Sequence, residues 1–350
     1  MLSYLIVGSG YRAEYYARIA RKYPGLFKAL FLCRSQEKAD ALKARTLVDA
    51  VTSEDAALLF RPDFVVVAVD REHVGEVTAH WAERGFPVMA ETPVGAYMEQ
   101  LARLWKMYEK GAKITCAEQY HRYPILSAGL RCVEEGLIGT PASAYLSLAH
   151  EYHGFSLLSR MLRSCGEKYS LTAFRQVSAV AATDSRYGAI LDGSSARDER
   201  DTAFLRFASG KTAIYDFGSV QYRTFLRSRH LTLRGDKGEW SDRIIAYLGG
   251  DNLPERHFLM PEIPEKYRPL DTQALRDGRK TWTGELFLDT EQDEFAIASM
   301  LLDMGDNIGG GSSPYPLRDA LDDARFALLL KRALDEPETW IASGETPWDE

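Results

Sequence analysis

The stretch Tyr4-Leu5-Ile6-Val7-Gly8-Ser9-Gly10-Tyr11-Arg12-Ala13 decides the fold of this chain. Its apolar start predicts a strand, its two glycines predict a tight turn, and the residues that follow predict an amphipathic helix ending at Pro24-Gly25. Glycines remove the Cβ atoms that would keep the backbone away from a pyrophosphate, and the first N–H groups of the helix would face that group. We therefore interpret the stretch as a dinucleotide-binding turn. The alternative interpretation is an ordinary strand-to-helix turn.

Length and composition narrow the class of protein. A chain of 350 residues is too long for one hydrophobic core, so it predicts two domains. The formal net charge of -7 argues against a nucleic-acid partner, because such proteins concentrate Lys and Arg. The apolar run Phe64 to Val69 is far too short to span a bilayer, which argues against a membrane protein. Because Met1-Leu2-Ser3 leads directly into the first predicted strand, we expect no secretory signal and a cytoplasmic protein.

The cysteines give no sign of a metal site or of a disulfide framework. Cys33, Cys116, Cys132 and Cys165 show neither C-x-x-C pairing nor the spacing of zinc ligands. We therefore expect reduced thiols and no bound metal.

Predicted strands and helices alternate through the first third of the chain. The second strand is predicted over Phe27 to Leu32, and Ser53 is predicted to cap a short helix before the apolar strand that starts at Phe64. Further strands end near Ala90 and Cys116, each preceded by a predicted helix. This order predicts an α/β fold whose N-terminal domain is a doubly wound parallel sheet of the Rossmann type, with ligands at the carboxyl ends of its strands.

The residues at the end of the second strand bear on the choice of coenzyme. Cys33-Arg34-Ser35 stands where an acidic residue would bind a ribose 2′-hydroxyl. A guanidinium and a hydroxyl suit a 2′-phosphate better, so the sequence favours NADP over NAD and leaves both open. The alternative is that Arg34 only starts the polar helix from Gln36 to Ala44.

Taken together, these residues resemble the glucose-fructose oxidoreductase, inositol dehydrogenase and rhizopine-catabolism superfamily, Gfo/Idh/MocA. The similarity continues through Asp63-Phe64-Val65, His73, Gly85-Phe86-Pro87-Val88, Glu91-Thr92-Pro93, Glu135-Gly136-Leu137-Ile138-Gly139, Asp293-Glu294-Phe295-Ala296 and the helix after Pro316. The resemblance implies a nicotinamide coenzyme and hydride transfer to or from a secondary hydroxyl of a sugar, inositol or related polyol. It also implies a second α/β domain with an open, largely antiparallel sheet.

The motif and the resemblance together place the candidate site residues. We expect a dinucleotide-binding domain over residues 1–121 and a domain for substrate binding and oligomerisation over residues 122–350. The expected cofactor contacts are Gly8, Ser9, Gly10, Tyr11, Arg12, Cys33, Arg34, Ser35, Val69, His73, Glu91, Thr92 and Gln119. The expected substrate contacts are Thr92, Tyr120, Arg122, Asp216, Tyr222 and Arg223.

Two departures from the family pattern leave other functions open. Thr92 replaces the Lys that such dehydrogenases place near the reacting hydroxyl, where an ammonium helps a proton leave. The family's D-x-x-x-H becomes Ala149-His150-Glu151-Tyr152-His153. Some family members that lack the Lys are redox-assisted glycosidases with bound NAD, so this activity is the main alternative. A nucleotide- or sugar-binding sensor without enzyme activity is the second alternative.

The cluster from His150 to His153 is the best candidate for proton transfer. Strand alternation would send His150 and Tyr152 to one side and Glu151 to the other, and His153 would open a helix. His153 matches the family's histidine, so the resemblance implies that it is catalytic. Glu151, Tyr152 and His150 are further candidates for the same role.

The second half of the chain predicts a sheet that needs a partner. Strands are predicted over Phe174 to Ala182, Asp201 to Phe207, Arg229 to Arg234 and Glu239 to Leu248. Apolar rows such as Leu231 and Leu233 would be uncovered on this sheet, because few helices follow. The sequence therefore predicts a homo-oligomer, a dimer or tetramer, with a small carbohydrate or polyol as its ligand.

Overall fold

The computed structural model describes residues 1–185, 188–259 and 292–349. Contacts divide the chain into two compact units, the first formed by Met1–Ser127, Pro261–Ala324 and Pro347–Glu350, the second by Ala128–Met260 and Arg325–Thr346. The predicted division into residues 1–121 and 122–350 has one boundary, whereas the chain passes between these units several times.

The first unit is built on a parallel sheet with the strand order β3-β2-β1-β4-β5-β6. Its strands are β1 (Leu2–Val7), β2 (Phe27–Leu32), β3 (Ala50–Val51), β4 (Phe64–Val67), β5 (Val88–Ala90) and β6 (Ile114–Cys116). The helices between them are α1 (Tyr11–Lys22), α2 (Gln36–Thr46), α3 (Glu54–Leu59), α4 (Val74–Glu83) and α5 (Met98–Glu109), and α6 (Pro124–Glu134) follows. The predicted Rossmann sheet is confirmed, and its strand order reverses beside β1, where such sheets bind ligands.

Local sequence explains why these elements form where they do. Every residue of β4 is buried, as expected for a central parallel strand covered on both faces. Ser35 caps α2 by accepting from the Lys38 N–H, and Ser53 caps α3 by accepting from the Ala56 N–H, as its position predicted. Pro124 opens α6, where its missing N–H costs no helical hydrogen bond.

Two helices late in the chain also contribute to the first unit. They are α8 (Gln292–Ile308) and the first part of α9 (Leu317–Asp335). The segment between them is tied to β6, because the Thr115 hydroxyl donates to the Tyr315 carbonyl at 2.6 Å. The stretch Asp293-Glu294-Phe295-Ala296, singled out by the resemblance, lies in the first turns of α8.

The second unit is built on a mixed, largely antiparallel sheet with the strand order β16-β15-β14-β13-β7-β12-β11-β8-β17. The strands are β7 (Pro141–Ser147), β8 (Tyr169–Ala181), β11 (Ser195–Phe207), β12 (Thr212–Gly218), β13 (His230–Gly235), β14 (Gly238–Ser241), β15 (Ile244–Leu248), β16 (Pro254–Phe258) and β17 (Ile341–Ala342). A separate two-stranded ladder joins β9 (Asp184–Ser185) and β10 (Gly188–Ala189). Helix α7 (Glu151–Leu162) packs against one face, where Phe155 stacks on Phe326 of α9. The predicted second sheet is confirmed.

Several predicted strand limits are wrong. Strands β8 and β11 each run for 13 residues, because cross-strand ion pairs such as Arg175 with Asp201 at 2.6 Å let polar residues extend the ladder. The single strand predicted from Glu239 to Leu248 is the hairpin of β14 and β15, which turns at Asp242 with a φ of 51°. Leu231 and Leu233 were expected on an uncovered face but are buried.

No helix in the described ranges has the length and apolar character needed to cross a bilayer. Likewise, no three His, Cys, Asp or Glu side chains in this part of the chain are grouped as a metal site would require.

Candidate functional site

The two glycines of the turn after β1, Gly8 and Gly10, have different surroundings. Gly8 has a φ of 141°, and a Cβ there would lie 2.1 Å from the Ala68 carbonyl oxygen after β4. This position therefore needs glycine for packing between neighbouring strands as well as for its backbone conformation. A Cβ on Gly10 would meet nothing within 4 Å, so the space beside this residue is open.

The start of α1 fits a phosphate group. Gly10 is the N-cap residue and supplies no side-chain hydrogen bond to the first turn. N–H groups at a helix start that lack a cap are donors for an anion, and the helix dipole favours negative charge there. Ser9 and Arg12 lie on either side of this position, half-buried, and Tyr11 is exposed. The open space at Gly10 and the uncapped N–H groups are what a pyrophosphate would need.

The ends of β2 and β4 carry the residues expected near an adenosine ribose. Arg34 is exposed, and Ser35 uses its hydroxyl as the cap of α2. Burial raises the pKa of the Cys33 thiol, and the charge of Lys38 opposes that rise, so a second cation lies beside this strand end. Sequence reasoning missed Lys38, although its place in the first turn of α2 was visible.

The carboxylate of Asp70 lies near the cation Arg34. A hydrogen bond from His73 lowers the pKa of Asp70, and Arg34 adds a smaller lowering through its charge. His73 is also the N-cap residue of α4, and Val69 is half-buried two residues after the end of β4. The predicted cofactor residues Arg34 and His73 are therefore brought together around Asp70, which sequence reasoning did not name.

Glu91 lies at the centre of a buried hydrogen-bond network. Its Oε1 accepts from Arg12 Nε at 2.8 Å and from the Tyr16 hydroxyl at 2.7 Å. Its Oε2 accepts from the Thr92 N–H at 3.1 Å. Burial raises the pKa of Tyr16, and the negative charge of Glu91 raises it further. The Glu91 carboxylate thus joins Arg12 to Thr92. All three residues were predicted as cofactor contacts.

Asp293, from the start of α8, joins this network. Its Oδ2 lies 3.4 Å from Arg12 Nη1, and its Oδ1 accepts from Gln119 Nε2 at 3.2 Å and from the Tyr123 hydroxyl. Burial would lower the pKa of Arg12, but the carboxylates of Glu91 and Asp293 raise it well above its ordinary value. The guanidinium therefore stays charged while holding two carboxylates.

Two predicted substrate contacts lie on the short 3-10 turn Tyr120–Arg122 after β6. Arg122 donates to Asp303 at 2.6 Å, to the Ser299 hydroxyl at 3.2 Å and to the Pro314 carbonyl at 2.8 Å. Its guanidinium therefore fastens this turn to α8 and to the segment after it. Tyr120 is buried, with its ring 4.9 Å from that of Tyr123. A substrate role for either residue stays a prediction.

The candidate proton-transfer cluster of the second unit is a group of three rings. The ring centroids of His150 and His153 are 5.0 Å apart, those of Tyr152 and His153 4.5 Å, and those of His150 and Tyr152 4.9 Å. The expected strand alternation is wrong here, because β7 ends at Ser147 and α7 begins at Glu151. His150 is the N-cap residue, and His153 is buried in the first turn.

Tyr215 and Tyr222 hold the backbone of this cluster in place. The Glu151 N–H donates to the Tyr215 hydroxyl at 2.7 Å, and the His150 N–H donates to the Tyr222 hydroxyl at 3.1 Å. A Cβ on Gly154 would lie 2.6 Å from the Tyr215 ring, so glycine lets α7 approach β12. Burial raises the pKa of Tyr215 well above its ordinary value, so this hydroxyl stays protonated.

The other predicted substrate contacts divide between two places. The Tyr222 ring lies 5.7 Å from that of His150, so it belongs to the ring cluster, and Arg223 follows it half-buried. Asp216 follows Tyr215 in β12 and faces the other side of the sheet, where it accepts from Arg200 at 2.6 Å and Tyr145 at 2.8 Å. Strand alternation explains why Asp216 is not brought together with His150.

Comparison with known proteins identifies the first part of the chain. Residues 2–119 match the Gfo/Idh/MocA oxidoreductase family with an NAD-binding Rossmann fold. No protein of curated function has a matching sequence.

Solved structures show the same fold across almost the whole chain. An NAD-binding oxidoreductase from Klebsiella pneumoniae has a TM-score of 0.71 at 15% identity, covering 98% of this chain and 99% of its own. A levoglucosan dehydrogenase in complex with NADH and levoglucosan has a TM-score of 0.71 at 16% identity, covering 98% and 100%. A candidate myo-inositol dehydrogenase from Sinorhizobium meliloti has a TM-score of 0.67 at 17% identity, covering 98% and 100%. At these identities the likeness shows the fold alone.

Proposed function

We propose that the chain transfers a hydride between a nicotinamide coenzyme and a secondary hydroxyl of a sugar, inositol or related polyol, because residues 2–119 match the Gfo/Idh/MocA oxidoreductase family with its NAD-binding Rossmann fold. The observation that carries this proposal is the turn at Gly10, where open space meets the uncapped start of α1. The sugar and inositol named for the levoglucosan and myo-inositol proteins support the choice of substrate class.

The residues of the first unit would hold the coenzyme by its three polar parts. The turn from Gly8 to Gly10 offers backbone N–H groups to the pyrophosphate. Arg34 and Lys38 offer positive charge to the adenosine ribose, which favours NADP, whereas Asp70 beside Arg34 moderates that preference. When bound, the nicotinamide takes up or gives back the hydride.

The ring cluster of the second unit would move the proton. When a hydride leaves the carbon of a secondary alcohol, the proton on its oxygen has to pass to a base. Thr92 offers only a hydroxyl, so we assign the base role to His153, whose imidazole nitrogen can accept a proton. The rings of Tyr152 and His150, with centroids 4.5 Å and 5.0 Å from that of His153, would orient it. Tyr222 offers a ring face on which a sugar could stack.

A redox-assisted glycosidase is the second candidate, and Thr92 is the observation that favours it. In that reaction bound NAD oxidises a ring carbon, elimination breaks the glycosidic bond and the hydride returns, so no coenzyme is consumed. A panel of sugars, inositols and aryl glycosides, assayed in parallel for coenzyme reduction and aglycone release, separates the two. Reduction without aglycone release supports the dehydrogenase, release without net reduction supports the glycosidase, and neither signal supports a sensor.

We also propose a homo-oligomer in the cytoplasm. On the face of the second sheet that carries Asp216, Phe174 is 51% exposed and Phe204 is 42% exposed. Both rings lie beside paired charges, and the same face of a second copy would cover them. All four cysteines are thiols rather than disulfides, as a reducing compartment would maintain them. Light scattering and cell fractionation test these two points.

A further inference from the structure

A buried glutamine joins three segments around the ring cluster of the second unit. Gln221 is 1% exposed and begins the short 3-10 turn Gln221–Arg223, three residues after the end of β12. Its Oε1 accepts from the Gly218 N–H at 3.0 Å. Its Nε2 donates to the Ser147 carbonyl at 2.9 Å and to the Ser228 carbonyl at 2.8 Å. One amide thus fastens this turn to the ends of β12 and β7 and to the segment that leads into β13.

The segments that this amide joins carry rings of the proton-transfer cluster. Ser147 lies three residues before His150, and Tyr222 follows Gln221 in the turn. The Tyr222 hydroxyl accepts from the His150 N–H at 3.1 Å, and the centroids of these two rings are 5.7 Å apart. The His150 ring in turn lies 5.0 Å from the ring of His153. A shift of the turn relative to the end of β7 would therefore move His150 against His153.

Packing alone does not require an amide at position 221. Burying a polar side chain costs free energy unless its hydrogen bonds are made, whereas a methionine of similar length would fill the same space without that requirement. A buried polar network whose hydrogen bonds are made fixes one arrangement of the segments that it joins. Because both the oxygen and the nitrogen of Gln221 are bonded to backbone groups, its amide selects one position of the turn against β7 and β12.

We propose that Gln221 is a positioning residue for proton transfer. It holds the turn against the end of β7, so that the Tyr222 hydroxyl sets His150 against His153. This assignment rests on the proposed function, because it takes His153 as the base of the reaction. A base has to lie within hydrogen-bond reach of the hydroxyl whose proton it accepts, so a small displacement of its ring slows the reaction.

Amide hydrogen exchange tests this geometry without relying on turnover. Gln221→Met keeps the length of the side chain and removes its hydrogen bonds, so the turn should no longer hold the Tyr222 hydroxyl on the His150 N–H. Mass spectrometry at single-residue resolution on the full chain should show exchange at least about tenfold faster at His150 and less than about twofold faster at Glu151, whose N–H is held by Tyr215 at 2.7 Å. Unchanged exchange at His150, or an equal rise at both amides, would overturn the proposal.

Turnover shows whether the displacement reaches the reaction. With coenzyme and an oxidised sugar at saturation, Gln221→Met should lower kcat about 10- to 100-fold, while the dissociation constant of the coenzyme stays within about twofold in calorimetry. Gln100→Met is the matched control, because Gln100 is a buried glutamine of the first unit that accepts from the Ala96 N–H and donates to the Glu72 carbonyl, both at 2.9 Å. It should lower the melting temperature and leave kcat unchanged. Equal kcat in the two variants would overturn the proposal.

Gln221→Glu gives a readout that a merely structural role would not move. Its carboxylate keeps an acceptor for the Gly218 N–H but has no donor for the Ser147 and Ser228 carbonyls. Burial raises the pKa of such a carboxyl, and the protonated form donates one hydrogen bond again. The ratio of its kcat to the wild-type kcat should therefore rise as the pH falls through that raised pKa, whereas the ratio for Gln221→Met should stay flat. A flat ratio in both variants would overturn the role of the amide.

Tyr222→Phe tests the same link if neither Gln221 variant folds. It retains the ring and removes the hydroxyl that accepts from the His150 N–H, so kcat should fall by about tenfold or more. A wild-type kcat in Tyr222→Phe would overturn the positioning role and leave the proposed function standing. Wild-type protein that oxidises no sugar or polyol with either coenzyme would overturn both.

Discussion

Gly10→Asp separates coenzyme binding from folding. Gly10 has a φ of -84° and a ψ of 176°, an extended conformation that any residue adopts, and its Cβ would meet no atom within 4 Å. Asp is a favoured N-cap residue, so the exchange should change the free energy of unfolding by only about a few tenths of a kcal/mol, in the stabilising direction. The same carboxylate would occupy the open space that we assign to the pyrophosphate.

The expected loss of affinity follows from charge repulsion. Two unit charges about 4 Å apart near a protein surface interact with about 4 kcal/mol, which corresponds to roughly a 10³-fold change in the dissociation constant. Gly10→Asn is the matched control, because its side chain has the same shape and no charge. We expect it to lose about tenfold or less, through competition of its side chain for the first N–H groups of α1.

Calorimetric titration with NAD and NADP measures the affinities, and thermal unfolding measures stability. An Asp variant that folds and binds either dinucleotide as tightly as wild-type protein would refute the placement of the pyrophosphate at Gly10. Gly8→Ala gives the opposite pattern, because its Cβ would lie 2.1 Å from the Ala68 oxygen at a φ of 141°, so it should lower stability itself.

Five further outcomes are expected for the remaining features. Arg34→Ala should weaken NADP more than NAD in calorimetry, and an equal loss for both would remove the basis for NADP preference. His153→Ala should slow turnover by about 10²- to 10⁴-fold with coenzyme affinity retained, and Thr92→Lys should speed a dehydrogenase but not a glycosidase. Because the pKa of Asp70 is lowered in the folded chain, its ionised carboxylate stabilises the fold at pH values above about 3.9, the usual pKa of an Asp side chain. This contribution is lost as the pH falls through the lowered pKa of Asp70. His73→Ala should return the pKa of Asp70 towards its usual value in a carbon-13 NMR titration, and an unchanged pKa would contradict the His73 contact. Light scattering should give a multiple of 39.3 kDa, and a monomer at micromolar concentration would contradict the oligomer.

Features encoded by neighbouring residues could be predicted from the sequence. The strand, turn and helix around Gly8 and Gly10 depend on local propensity, and the cap at Ser53 depends on the helix that follows it. The start of α7 was predicted in the wrong register, because a distant contact contributes to it. There the Tyr215 hydroxyl, 64 residues away, accepts from the Glu151 N–H and starts the helix before His153.

Features that depend on distant contacts could not be predicted. Arg12 and Asp293 are 281 residues apart, and no periodicity links them. The resemblance pointed to the Asp293 segment as a family motif but not as a partner of the turn. The packing reason for Gly8 was equally hidden, because it depends on the Ala68 carbonyl, which follows another strand, β4.

Hydride transfer from a carbohydrate carbon to the dinucleotide is tested most directly with a deuterated substrate. A sugar or polyol that the chain oxidises is labelled with deuterium at the reacting carbinol carbon, and the coenzyme is analysed by mass spectrometry after turnover with excess NADP or NAD. We predict one deuterium in each reduced coenzyme molecule, in step with the amount of substrate oxidised. Substrate conversion that leaves the coenzyme unlabelled and unreduced would contradict the dehydrogenase.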